Sequence, residues 1–223
     1  MTRRMIAPLL FGILGVTILV WLGVWQVQRL AWKTAILAQI ETRLAAAPVA
    51  VPAEPDPGRD KYLHVEARGA IAPGELDVYT SVPGRGVGYR VIVPLELEDG
   101  RKILLDRGFV PIAEKAAARR TGPIAVEGTL AWPDETDSFT SAPDRVKNIW
   151  FARDVPLMAE ALGTLPVMLV TASSDDPGGP LPLPQTVNIP NDHLQYAITW
   201  FGLAVVWAMM TGYLLWRIKR RID

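Results

Sequence analysis

Two uncharged runs bracket this chain. From Met5 to Gln28 and from His193 to Trp216 there is no Lys, Arg, Asp or Glu, and each run is 24 residues long. Coiled as helix, each measures roughly 36 Å, enough to cross a hydrocarbon core of about 30 Å. The pattern therefore predicts transmembrane helices over residues 5–28 and 192–216. Pro8 falls in the first turn of the first helix, where proline is tolerated. Gly12, Gly15 and Gly23 leave room for a neighbouring backbone, and the second helix offers Ala204, Ala208 and Gly212 at four-residue intervals. Small residues so spaced suit close packing, so the two helices are expected to pair as a hairpin. Past Gln28 the helical period persists in Leu30, Ile36, Leu37, Ile40 and Leu44, which predicts an amphipathic extension over 29–47.

Between the helices the period changes. Four prolines from Pro48 to Gly58 mark a linker over 48–61. Short strands are expected next, at Tyr62–Ile71, Asp77–Ser81, Val87–Leu97, Lys102–Val110, Ile124–Trp132, Asn148–Ala152 and Pro166–Thr171. Pro73-Gly74 and Pro83-Gly84-Arg85-Gly86 punctuate them, and Asp99-Gly100 is a short hairpin signal. Glu114–Arg120 reads as a charged turn of helix, and Pro156–Leu162 as a brief helix stopped by Gly163. Residues 62–174 should thus form a mainly-β domain, a small antiparallel barrel or sandwich. A proline-rich return loop over 175–190 leads back to the second helix, with Pro177 to Pro184 stiff and extended. Pro190 ends that loop, and Asn191 or Asp192 can cap the helix that follows.

Charge supplies an orientation. The 23 basic and 23 acidic residues balance, so nothing points to a nucleic-acid partner. Their placement is uneven: Arg217, Lys219, Arg220 and Arg221 form a basic tail over 217–223, whereas no Lys or Arg occurs from Asp154 to Trp216. Arg3 and Arg4 before the first helix are offset by Arg29 and Lys33 after it. The positive-inside bias of the second helix then puts both termini in the cytoplasm, or the equivalent matrix side, and the middle outside. The first run also has the start of a signal peptide, but it exits through Trp21, Trp25, Arg29 and Trp32 with no small-residue cleavage site, so an uncleaved anchor is expected. The chain has no cysteine, which excludes disulfides, thiolate metal sites, iron–sulfur ligation and covalent c-type haem.

Chemistry is sparse. No nucleophile elbow, His-Glu-x-x-His or phosphate-cradling glycine loop is present. Gly84-Arg85-Gly86-Val87-Gly88 reads as a turn, Asp134-Glu135-Thr136-Asp137 as a solvated loop, and Asp106-Arg107 as a solvated or partly buried ion pair. His64, in a strand, is expected at the surface or half-buried. His193 differs, because a coordinating residue at the mouth of a membrane helix is costly to place and often functional. It shares a rough stripe with Tyr196, Trp200 and Trp207. That stripe has two readings: a haem-iron ligand above an aromatic wall, or an ordinary aromatic belt at the interface. Trp25 and Arg29 lie at the same level of the first helix. Arg29 is suited either to a carboxylate such as a haem propionate or to snorkelling toward headgroups.

Three blocks then carry a resemblance. They are Gly23-Val24-Trp25-Gln26-Val27-Gln28-Arg29-Leu30-Ala31-Trp32-Lys33; the pair Gly88-Tyr89-Arg90-Val91-Ile92-Val93-Pro94-Leu95 and Leu105-Asp106-Arg107-Gly108-Phe109-Val110-Pro111; and Asn191 to Gly202. In this order, with two spans around one domain, the chain resembles the Surf (Surfeit-locus) family of cytochrome oxidase assembly proteins over nearly its whole length. Asp192 and Phe109 depart mildly from the family's pattern. The resemblance implies a non-enzymatic assembly factor of a bacterial inner membrane, its middle domain periplasmic, which binds haem a and delivers it to, or stabilises it in, the core haem-bearing subunit of a terminal oxidase. It makes His193 the favoured iron ligand, with Tyr196, Trp200, Trp25 and Arg29 shaping the haem site. It implies haem a synthase and membrane lipid as further partners. Two alternatives stand beside it: a haem-free scaffold that holds the oxidase subunit, and a generic periplasmic adaptor.

Overall fold

The structure is a computed structural model that describes residues 3–185 and 191–221. Pro190, the end of the return loop 175–190 and the last two residues of the tail 217–223 lie outside the described residues. The chain divides into two compact units, Met1–Gln39 with Val187–Asp223 and Ile40–Thr186.

The first unit is built on two long helices. Helix α1 (Arg3–Leu44) runs unbroken for 42 residues, so span and extension are one helix, and α4 (His193–Arg220) has 28. Both are long and apolar enough to cross a membrane. They run antiparallel: Gly12 faces Thr211, Gly15 faces the Trp207 indole, and Gly23 faces Phe201. A Cβ at Gly12 or Gly15 would lie 2.2 or 2.3 Å from those side chains, which is why glycine stands there. The seam of α4 follows His193, Ala197, Trp200, Ala204, Trp207 and Thr211, spaced four and three in turn. The expected face of Ala204, Ala208 and Gly212 is not the seam, since Ala208 and Gly212 are exposed and nothing lies within 4 Å of a Cβ at Gly212. Four residues advance a helix by about 40° beyond one turn, so a strict four-residue stripe drifts off a partner that an alternating stripe keeps facing.

The second unit is mainly β. Its strands are β1 (Val49–Ala50), β2 (His64–Ile71), β3 (Leu76–Val82), β4 (Gly86–Leu97), β5 (Lys102–Pro111), β6 (Gly122–Ala131) and β7 (Leu165–Ser174). Their order in the sheet is β1-β2-β6-β7-β5-β4-β3, and β2 also pairs with β4. The path β2–β6–β7–β5–β4–β2 therefore returns to its start. Closure needs close contact at Gly69, where a Cβ would lie 2.1 Å from the carbonyl oxygen of Glu96. The expectation of an all-antiparallel sheet is corrected: β5 pairs with β7 in parallel, as does β1 with β2. A ring of five strands cannot alternate direction throughout, so at least one neighbouring pair must run the same way.

Side chains alternate between two cores. Val91, Val93, Leu95, Ile103, Leu105, Leu130 and Leu169 pack in one. Ile92, Leu104, Met168 and Val170 point the other way, under helix α3 (Val155–Leu162) with Trp150, Val155 and Met158. Strands covered on both faces read as continuous apolar runs, as Ile103-Leu104-Leu105 does. Helix α3 has the ends its residues predict: the Asp154 side chain accepts from the Leu157 N–H, and Gly163 closes it in the left-handed conformation at φ 65°.

Two expectations differ in detail. Asn148–Ala152 is no strand: Asn148 turns the backbone to φ 50°, and only single bridges form, Asp144 to Ile149 and Val78 to Trp150. The proline-rich stretch 48–61 carries β1 and the one-turn helix α2 (Pro57–Asp60), and Arg101 donates to the carbonyls of Pro52 and Ala53 at 2.6 and 2.9 Å. Proline removes donors but leaves carbonyls, and a guanidinium collects them.

Candidate functional site

His193 is the first residue of α4, preceded by Asp192 at the cap position. The Asp192 carboxylate makes no capping bond, since its backbone (φ −86°, ψ 8°) is not the extended form that aims a side chain at the helix N–H groups. His193 faces α1, and its Nδ1 lies 2.7 Å from Oε1 of Gln26. Gln26 is 8% exposed, on the face of α1 that carries Gly12 and Gly23. A buried amide in an apolar span is unfavourable without a partner, so the pairing stabilises both helices at this level. The other ring nitrogen of His193, Nε2, has no protein partner among the described residues. Two residues before it, Asn191 donates through Nδ2 to Thr34 Oγ1 at 3.5 Å, and its buried Oδ1 has no partner among the described residues.

The remaining residues expected at this site lie around that contact. Trp200 is half-buried in the seam, whereas Tyr196 is 55% exposed. Trp25 is 45% exposed, because it neighbours Gln26 in sequence and so points about 100° away. Arg29 stacks its guanidinium 4.3 Å from the Trp32 ring centre. Gln26 itself was missed by pattern reading. Its signal is available, though: it is a polar side chain three residues after Gly23, on the glycine face of an uncharged run.

Charged residues of the β-unit form a second cluster, and this one is structural. Asp106 is fully buried rather than solvated, accepting from Arg90 Nε at 2.7 Å and from Arg153 Nη1 at 3.4 Å. Arg153 also clamps Glu135, so that acidic loop is tied down. His64 is largely buried too, its Nδ1 against the Ala46 carbonyl at 2.6 Å and its Nε2 against Glu127 at 2.9 Å. Burial opposes the charge of Glu135, but the bonds and charge of Arg153 outweigh it and hold the carboxyl below its ordinary range. A carboxyl lowered in the folded state contributes stability above its unfolded pKa and loses it as pH falls through the folded value. Glu135→Gln is therefore expected to lower the urea midpoint at pH 7, with the gap to wild type closing below about pH 4. A gap that is constant across that window would contradict the assignment.

Together these features define a mainly-β unit and a unit of two long apolar helices, in whose seam a histidine is held by a glutamine. The family model described as "SURF1 family" matches residues 13–205. Surfeit locus protein 1 of Rattus norvegicus is 31% identical over 219 residues, covering 88% of this chain and 70% of that protein. That of Homo sapiens is 31% identical over 217 residues (86% and 71%), and a SURF1-like protein of Monosiga brevicollis 31% over 215 (86% and 82%). The chain belongs to the SURF1 family.

Proposed function

We propose that this protein is an assembly factor for a haem–copper terminal oxidase, which binds haem a and delivers it to, or stabilises it in, the core catalytic subunit. One observation carries the reading: the His193 imidazole is anchored through Nδ1 on an apolar helix, and its Nε2 has no protein partner among the described residues. A neutral imidazole with one nitrogen held and the other open is the donor that haem iron takes. The surroundings suit a flat macrocycle, with Trp25 and Tyr196 offering exposed aromatic surface and Trp200 in the seam. Arg29 supplies a fixed cation for a propionate. Haem a, when bound, supplies only its iron and its hydrophobic ring. The chain's part is to hold, orient and release, not to catalyse.

In this reading α1 and α4 cross a bacterial inner membrane. The basic residues Arg217, Lys219 and Arg220 in the last turn of α4 support cytoplasmic termini and a periplasmic β-unit. The closed strand path is read as a small barrel. Phe139 and Val146, 92% and 98% exposed on turns fastened by Asp137 and Asp144, favour a second role in the same assembly, that of a scaffold that grips the oxidase subunit.

The test is the optical spectrum of protein purified after co-expression with haem a synthesis. His193→Ala is expected to lose the bound haem while the protein remains in the membrane. An unchanged haem a complement would remove His193 from the site. A scaffold without haem would instead co-purify with the subunit from a pool lacking the pigment.

A further inference from the structure

The side chain that meets His193 is an amide, and that choice has chemical content. Neutral imidazole has one N–H and one lone pair, and whichever nitrogen binds a metal must carry the lone pair. Left alone in water, imidazole side chains favour the proton on Nε2, which would close that nitrogen to iron. Gln26 Oε1, an acceptor only, lies 2.7 Å from Nδ1, so the proton belongs on Nδ1. Gln26 is itself 8% exposed and lies in the interior of α1, so the acceptor is enclosed at the helix seam.

We propose that Gln26 is the positioning residue of the site: by accepting from Nδ1 it fixes the His193 tautomer and ring orientation and leaves Nε2 open to iron. The inference rests on the haem reading above and extends it to how tightly the group is held. Metal-bound histidines commonly donate to a carboxylate, a backbone carbonyl or water, and a carboxylate raises their basicity most. An amide oxygen is a weaker acceptor than a carboxylate. It orients the ring without setting a charge beside it, which suits a carrier that must give its cargo up. A carboxylate at this depth would also bring a charge into an uncharged run, at a cost in the apolar phase.

The test uses the full chain in detergent with 15N-labelled histidine. The chain has only two histidines, and His193→Ala assigns their signals. Nitrogen shifts are expected to give the Nδ1–H tautomer for His193 in the wild type without haem, and a shift toward Nε2–H in Gln26→Leu. After co-expression with haem a synthesis, Gln26→Leu should retain the group about 10- to 100-fold less well, the usual loss when such a supporting partner is removed. Gln26→Glu should restore retention and lower the reduction potential of the bound haem below that of wild type. A mere packing role would move neither the tautomer nor the potential. An Nε2–H tautomer in the wild type, or equal retention by wild type and Gln26→Leu, would overturn the role of Gln26 alone. Absence of haem from every protein, the tautomer being as expected, would instead overturn the haem reading and this inference with it.

Discussion

Asp106→Ala is expected to unfold the β-unit under conditions in which the wild-type chain stays folded. The carboxylate is wholly inaccessible and binds two guanidinium groups whose side chains are only 14% and 18% exposed. Its second oxygen accepts from the Gly108 N–H at 3.0 Å. Removing it leaves Arg90 and Arg153 with one carboxylate, Glu135, between them, and a backbone donor without a partner. Deleting one side of a buried pair costs about 3–5 kcal/mol, against a total domain stability of about 5–15 kcal/mol. The exposed pair Lys102–Glu96 at 3.3 Å is the control, because such pairs contribute about 1 kcal/mol or less. Urea unfolding followed by near-ultraviolet circular dichroism should separate Asp106→Ala from Glu96→Ala by several kcal/mol. Equal losses would mean that the buried charges are dispensable.

Gly108→Val is expected to release the segment that leads from β7 back toward α4. Gly108 has φ +112°, and a Cβ there would lie 2.0 Å from the carbonyl oxygen of Leu181. On either side of that contact, Phe109 and Leu181 exchange backbone hydrogen bonds of 2.7 and 2.8 Å. Valine would add strain of about 1–3 kcal/mol and push Leu181 away, forfeiting two bonds of about 1 kcal/mol each. Arg90 would also lose its 3.2 Å bond to the Leu183 carbonyl. Limited proteolysis should then cut between Asp176 and Leu183 far faster than in wild type, while the rest of the β-unit resists. A cleavage pattern unchanged from wild type would show that the segment is held by other means.

Features that rest on neighbouring residues were readable from the chain alone. Two uncharged runs mark α1 and α4; Asp99-Gly100 marks the turn between β4 and β5, with Gly100 at φ 83°; Gly163 stops α3. Features that rest on distant partners were not. Gly69 looks like any strand glycine until β4 is brought against it. Asp106 and Arg153 are far apart in sequence, and an aspartate beside an arginine reads as a solvated or partly buried pair until both its faces are known to be covered. At the site, His193 was visible because it opens an apolar helix. Gln26 does not stand out, because the tryptophans and arginine around it carry stronger individual signals, although they lie on the exposed flanks. A helix seam is set by which face meets the partner, and one residue's error rotates the reading by about 100°.

The parallel pairing of β5 with β7 also sets a schedule for folding. Strand β7 sits between β5 and β6, yet it is the last strand in sequence. Until Leu165–Ser174 emerges during synthesis, β5 lacks one neighbour, β6 has only β2, and the two cores lack Val167, Leu169, Met168 and Val170. Non-local pairings of this kind form slowly and leave sticky edges while they wait. The ring therefore closes only shortly before α4 is made, so a nascent chain stalled before Leu165 would expose an incomplete sheet to the quality-control machinery of its compartment.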